Sequence, residues 1–395
     1  MSWLIPYNKL DAEQRDAINL ILANSNRNFF IQGFAGSGKS ILLLYILILA
    51  KKQNPNLRIC VVGYTKSLVD MFNASIPDEL KSFSHGKSYN PKGIDVKTFS
   101  YFEKKPSDYD LILVDEVQDL SANTLLLLKS KCRQMIVAGD GAQSIYEVGL
   151  PAINIVELIN AVVIELKILH RLPNKIIEIT KSVFPGRSLE KANRSKLRNV
   201  DAILAFANDM EHEISYVWEN ASNYAASRVN TAILLPNNKS ILYFVDSVCR
   251  VCNKIPWSGK TNEYGEDFDN LNKYLEFCGL RMQYLGKGYG NLSDSSLVNI
   301  MTYHSGKGLD FETVFLPNLN DRTSIWRGGS NIADNLFYVA LTRTRLNLYL
   351  SYTGNPHEYV KRIPNNLLRL LELPIKKQEP VGDNLGNDDS EEYFF

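Results

Sequence analysis

Cysteine is scarce in this sequence and shows no pairing pattern. Its five copies, Cys60, Cys132, Cys249, Cys252 and Cys278, are an odd, scattered set in 395 residues, which argues against a disulfide framework and for a reducing compartment. Cys249 and Cys252 form C-x-x-C inside a helical stretch with no second pair, a spacing that favours buried thiols over a metal or redox site. The five histidines are equally dispersed, so no zinc site is expected. Neither sign of charge dominates: 44 Lys and Arg face 43 Asp and Glu, for a net charge of +1. A polyanion would therefore have to meet a local basic strip, not a global field. The most apolar run, Ile41 to Ala50, is too short to span a bilayer. No basic segment followed by an apolar run opens the chain, so no leader is expected and the chain reads as cytoplasmic, with no membrane partner. What remains is an ordinary soluble composition, 45% hydrophobic and 22% charged, long enough for two or three domains.

One stretch organises the rest. Gly33-Phe34-Ala35-Gly36-Ser37-Gly38-Lys39-Ser40 fits G-x-x-x-x-G-K-[ST], between the apolar strand Asn28 to Gln32 and the buried helix beginning at Ile41. The glycines let the backbone N–H groups turn toward a phosphate chain at a helix N-terminus. Lys39 would reach the β- and γ-phosphates, and the Ser40 hydroxyl would ligate Mg²⁺. A chance Gly-rich turn is the bland alternative, and the strand–loop–helix context speaks against it. ATP with Mg²⁺ is the cofactor expected.

Upstream, Gln14 stands about twenty residues before the loop, where its amide could read an adenine edge. Downstream, the strand run Leu57 to Gly63 is followed by Tyr64 and Thr65, suited to a sugar-phosphate strand or simply to a polar turn. From Lys81 to Lys97, lysines alternate with Phe83 and Tyr89, as a base-stacking basic loop or a solvated one. Leu111 to Val114 then runs into Asp115-Glu116-Val117-Gln118-Asp119. There Asp115 would hold the metal and Glu116 would act as general base, an acidic helix cap being the alternative. A further strand, Met135 to Gly139, leads to Asp140-Gly141-Ala142-Gln143-Ser144-Ile145-Tyr146, with Gln143 placed to sense the γ-phosphate and Tyr146 to touch a base.

These residues together resemble superfamily 1 helicases of the UvrD/Rep type, from Gln14 to about Leu350. The second half extends the resemblance. Leu166 to Pro173 is similar to the family's fourth motif, and its Arg171 is implied to contact the γ-phosphate. His170 stands where the family usually carries the aromatic that stacks on adenine. Val298 to Phe311 resembles the fifth motif, implying ATP contacts at Gly308 and Asp310 and strand contacts at Thr302 and His304. Asp310 stands where Glu is commoner. Tyr338 to Arg345 resembles the sixth, and its Arg343 would be the arginine finger. The resemblance implies Tyr64, Thr65, Thr98 and Tyr146 as further nucleic-acid contacts. It also implies an α/β fold of two RecA-like P-loop domains, with ATP in the cleft and a single strand of DNA tracked 3′ to 5′. RNA is left open as the track.

The boundaries expected are an ATP-binding domain over 1–165, a second RecA-like domain over 166–372 with a short insertion near 254–297, and an acidic tail over 373–395. Two departures stand out. There is no room for the large domains that relatives insert, and Glu147-Val148-Gly149 replaces the stacking Trp and Arg usual after the motif Tyr. Trp326-Arg327 in a Gly-rich loop offers another base contact. The basic stretch Arg187 to Arg198 reads as a nucleic-acid guide or a solvated face. Two functions from different classes follow: a single-strand translocase or helicase, and a DNA-sensing ATPase subunit that gates a partner such as a nuclease. A small-molecule kinase is a distant third, since it would have no use for Arg171 and Arg343.

Overall fold

Unbroken apolar runs such as Tyr109 to Val114 and Thr231 to Leu235 belong in strands covered on both faces, the condition of a parallel sheet. The computed structural model describes residues 4–34, 36–63, 66–76, 82–84, 87–89, 93–140, 150–170, 172–185, 193–194, 201–259, 261–262, 265–286, 289–292, 294–326 and 330–374. Two large parallel sheets dominate them.

The first has six strands: β1 (Asn28–Gly33), β2 (Ile59–Gly63), β3 (Ile94–Thr98), β4 (Tyr109–Val114), β5 (Cys132–Gly139) and β6 (Ala161–Leu166). Their order is β3-β2-β4-β5-β1-β6, every pairing parallel. Alternation along each strand sends Phe29, Ile31, Val61 and Leu113 to one face, against α1 (Ala12–Ala23), α2 (Lys39–Gln53) and α3 (Lys66–Ser75). Phe30, Val62, Ile112 and Val137 take the other face, against α4 (Phe99–Lys104), α5 (Ala122–Ser130) and α6 (Ala152–Ile159).

The second sheet has seven strands: β7 (Ala202–Ala207), β8 (Thr231–Leu235), β9 (Met282–Tyr284), β10 (Val298–Thr302), β11 (Phe311–Leu316), β12 (Thr344–Thr353) and β13 (Arg369–Glu372). They run β9-β10-β8-β11-β12-β7-β13, again all parallel. One face packs on α7 (Asn174–Val183) and α11 (Ser330–Leu341). The other packs on α8 (Met210–Ala226), α9 (Asn238–Val251) and α10 (Phe268–Phe277). Each sheet with its two helical layers is a RecA-like α/β domain. Part of 254–297, read from its polar composition as an insertion, joins this architecture: β9 is an edge strand, and Phe268 of α10 stacks on Tyr284 at 3.7 Å. Among the described residues no helix is long and apolar enough to cross a membrane.

Phe337 sits in the middle of the second core, fully buried and stacked 4.8 Å from Tyr359. Phe337→Ala is expected to lower the unfolding free energy by about 3–5 kcal/mol, read as a lower urea midpoint at constant slope.

Candidate active site

The phosphate loop leaves β1 at Gly33 and enters α2 at Lys39, so the first free N–H groups of α2 face the cleft above the sheet's carboxyl edge. Gly38 caps α2 with φ +89°, a left-handed geometry, and a Cβ there would lie 2.5 Å from Gln14 Nε2. Gln14 is itself buried. Its Nε2 donates to Ser37 O at 3.0 Å, while a reciprocal capping box with Asp11 fixes the start of α1. His170 reaches the same corner: its backbone N–H donates to Gly36 O at 3.1 Å, and its Nε2 lies 2.6 Å from Asp11 Oδ2. Lys39 is curled over its own loop, with Nζ donating to the carbonyls of Gly33 (2.9 Å) and Phe34 (3.1 Å).

Two strands away, β4 delivers the acids. Ser40 Oγ donates to Asp115 Oδ2 at 2.5 Å, and Asp115 Oδ1 accepts the Glu116 backbone N–H at 3.0 Å. Two hard oxygens meeting beside the phosphate loop form a donor set that fits Mg²⁺. Burial, and then the charge of Glu116, push the Asp115 carboxyl up to about 6. Glu116 itself adopts φ +55°, a strained choice for a residue with a Cβ. Burial pushes its carboxyl upward too, but Lys307, Lys39, the Gln118 amide and Arg343 together hold it below the usual carboxylate range. Gln118 Nε2 donates to Glu116 Oε2 at 2.5 Å, and Gln118 Oε1 accepts the Asp140 N–H at 3.1 Å.

The second domain closes the cleft with a lysine. Lys307 Nζ sits 2.6 Å from Asp119 Oδ2 and 3.9 Å from Glu116 Oε2, with 3% of its side chain exposed and none of that of Asp119. Neither Lys307 nor Asp119 carries an expected role from the sequence; only the folded chain brings them together across 188 positions. Arg343 is nearly as buried. Its Nε donates to Val339 O at 2.9 Å, and its guanidinium also meets Leu309 O and the Thr342 hydroxyl. Asp310, expected to touch ATP, forms an ion pair with Arg345, and Gly308 packs 3.6 Å (from an added Cβ) from Leu68 of the first domain. Thr98, expected to meet the strand, caps α4 by accepting the Tyr101 N–H at 3.3 Å. Ala35, Tyr64, Thr65, Gln143, Tyr146 and Arg171 lie outside the described residues, as do Val148, Arg327, the stretch 187–192, 195–200 and the tail from 375.

A groove of about 1350 Å³ opens on the carboxyl edge of the second sheet, its walls including Asn237, Thr302, His304, Asn320, Arg322 and Trp326. Trp326 is 41% exposed, and its ring centroid lies 5.2 Å from that of the His304 imidazole. Burial, reinforced by Lys307, lowers the His304 pKa to about 4. The ring pair is therefore neutral and flat-faced at physiological pH.

Comparison with known proteins fits this geometry. The UvrD-like helicase C-terminal domain matches residues 90–355, and an AAA domain matches residues 14–149. DNA helicase II of Escherichia coli (strain K12) is 31% identical over 127 residues, covering 30% of this chain and 17% of that protein. A probable DNA helicase II homolog of Mycoplasma pneumoniae is 38% identical over 66 residues, 15% of this chain and 9% of its own length. The matches thus span less than a fifth of these curated relatives. Among solved structures, the PRRSV helicase superposes with a TM-score of 0.44 at 15% identity, over 87% of this chain and 56% of that one. An arterivirus nonstructural protein 10 helicase in complex with DNA gives 0.43 at 16%, over 84% and 62%.

The low His304 pKa has a direct consequence. Between about pH 4 and the ordinary 6.5, the unfolded chain binds a proton at His304 that the folded chain refuses, so stability rises with pH across that window. In an NMR titration, the His304 ring protons are expected to move near pH 4 and to stay still between 5.5 and 7.5.

Proposed function

Since the chain belongs to the UvrD-like helicase family, we propose that it is a Mg²⁺-dependent ATP hydrolase that couples turnover to movement along single-stranded DNA, in the 3′ to 5′ direction. One observation carries the coupling. The short segment from Thr302 to Lys307 lines the strand groove with Thr302, His304 and Ser305, then places Lys307 on the acids of the ATP cleft. A strand seated in the groove acts on the same loop that touches Glu116 and Asp119.

The geometry supports the following roles. Backbone N–H groups of Gly36, Ser37 and Gly38 would cradle the phosphates, Lys39 would leave its two carbonyls for phosphate oxygens, and Ser40 with Asp115 would hold Mg²⁺. When bound, Mg²⁺ neutralises charge developing on the transferring phosphoryl group. Glu116, kept ionised, is the base that takes a proton from the attacking water. Arg343, with Arg171 and Gln143 as proposed partners, would stabilise phosphoryl charge, and the residues at Gln14 and His170 would bound the nucleobase end. Lys307 supplies the gate. While its ammonium is close to Glu116 it depresses that carboxylate's basicity, and a strand that displaces the 302–307 loop restores it. On the strand side, Trp326 offers a stacking face in a chain that has Glu147-Val148-Gly149 after Tyr146.

The central test is steady-state ATP hydrolysis with and without single-stranded DNA, duplex DNA and single-stranded RNA. Strong stimulation by one single strand is expected and identifies the track. A flat response to all three rejects the motor and supports a regulatory ATPase that gates a protein partner such as a nuclease. Lys39→Ala and Glu116→Gln are each expected to abolish turnover, and Arg343→Ala to abolish it while nucleotide binding survives; normal turnover in Arg343→Ala refutes the two-domain mechanism. Lys307→Ala is expected to cut the ratio of stimulated to strand-free rate by about tenfold, the scale of a typical coupling energy. Trp326→Ala should weaken binding of an oligonucleotide by about 5- to 100-fold, as loss of one stacked base does, in fluorescence anisotropy.

A further inference from the structure

Beside the groove, the Glu213 carboxyl is buried and forms no ion pair among the described residues. Glu213 of α8 has no exposed surface. Its Oε1 accepts the Asn318 backbone N–H at 2.6 Å and the Ser351 hydroxyl at 2.7 Å, while Oε2 has no hydrogen-bond partner among the described residues. It borders a cavity of about 220 Å³ shared with Met210, Leu235, Lys239, Tyr243 and Pro317. Burial raises its pKa, against the smaller opposing effect of the two hydrogen bonds. A carboxyl in such a place is most cheaply held as a neutral acid.

What Glu213 holds is unusual backbone. Asn318 has φ +61°, the left-handed region that Asn tolerates better than most residues. It opens the loop that forms one wall of the groove. Asn318 O accepts from the Thr323 hydroxyl at 2.5 Å, and Asn318 Oδ1 accepts from Asn320 Nδ2 at 2.7 Å. Asn320 Oδ1 in turn accepts the Arg322 N–H at 3.0 Å. Leu319 and Ile325 pin the loop to the core, and Trp326 follows at once. The loop is therefore a hydrogen-bonded chain that starts at a carboxyl outside the lining of the groove.

We propose that Glu213 is a positioning residue for strand binding: by accepting the Asn318 amide and the Ser351 hydroxyl it fixes the 318–326 loop in the shape that presents Asn320, Arg322 and Trp326 to a single strand. The proposal rests on the reading that the groove takes such a strand. It assigns Glu213 no contact with nucleic acid and no part in hydrolysis. Because the acid acts through acceptor oxygen and not through charge, its amide isostere should serve as well.

The test uses the full chain, a fluorescently labelled oligothymidylate and strand-stimulated ATP hydrolysis. Glu213→Gln is expected to bind within about twofold of the parent, since an amide oxygen accepts both bonds. Glu213→Asp, whose carboxyl falls one carbon short of Asn318, and Glu213→Ala are expected to bind about tenfold more weakly, the loss of one to two buried hydrogen bonds. The strand concentration for half-maximal stimulation should rise in parallel while the plateau rate changes much less. Folded Asp and Ala variants with parental affinity overturn the proposal, and so does a Gln variant as weak as Ala. Should Glu213→Ala fail to fold, Glu213→Asp and Ser351→Ala decide, with parental affinity in both as the refuting result. If the parent chain itself binds no strand, the groove reading falls and takes this proposal with it; a parent that binds normally beside insensitive Glu213 variants refutes the positioning role alone.

Discussion

Everything at the cleft depends on one ion pair between two domains. Lys307 and Asp119 are both withdrawn from water, and they come from opposite sheets. Burying either charge alone would cost several kcal/mol, and their mutual attraction offsets that cost only while the geometry is good. Such a pair adds little net stability to this arrangement, but it specifies the relative position of its two elements sharply: a small displacement loses the attraction before water can restore the solvation. The pair therefore works as a register mark between the sheets, and its neighbour Glu116 feels it through space at 3.9 Å.

Both functional regions occupy carboxyl edges of parallel sheets, where loops leave strands and backbone N–H groups of the next helices are exposed. In the first sheet this brings the phosphate loop, Asp115 and Asp140 to one rim. In the second, the loops after β8, β10, β11 and β12 build the groove. The division of labour is physical. The first rim gathers charge in a buried setting, with opposing pKa effects on Asp115 and Glu116 from adjacent positions. The second rim mixes amides, hydroxyls and a neutral ring pair with a few charged side chains, Asp209, Lys239, Asp321 and Arg322, which suits contacts to bases and sugars as much as to phosphates.

The sequence was most legible where function is local. A phosphate loop must be contiguous because successive N–H groups have to surround one anion, and Asp115-Glu116 must follow a strand because the strand aims them. The alternation of sheets and helices was legible for a similar reason, since parallel strands covered on both faces carry unbroken apolar runs. Pairings made through space were not legible. Nothing about Lys307 names Asp119 as its partner, and Glu213 looks like any surface acid on an amphipathic helix until the loop at Asn318 is folded over it. Thr98 was legible as a residue of interest, and only the folded chain shows that its hydroxyl also caps α4. Segment 254–297 reads by composition as a short insertion, and within it polar connections surround Phe268 and Tyr284, whose stacked rings pack in the core.

The strand order of the two sheets also sets when each can exist. The first sheet draws on an uninterrupted span and has its last strand, β6, in hand by Leu166. In the second, β7 is the earliest strand to be made, yet both of its neighbours, β12 and β13, come from Thr344 onward. An emerging chain can therefore complete its first sheet while β7 waits, its edges unpaired, for more than 130 further residues (Ala207 to Thr344). Loop closure over that span is slow relative to local pairing. On the ribosome the ATP-binding half is thus available as a finished surface for the second half to fold against, and the interval before β12 arrives is the period in which the apolar strand Ala202–Ala207 needs shielding.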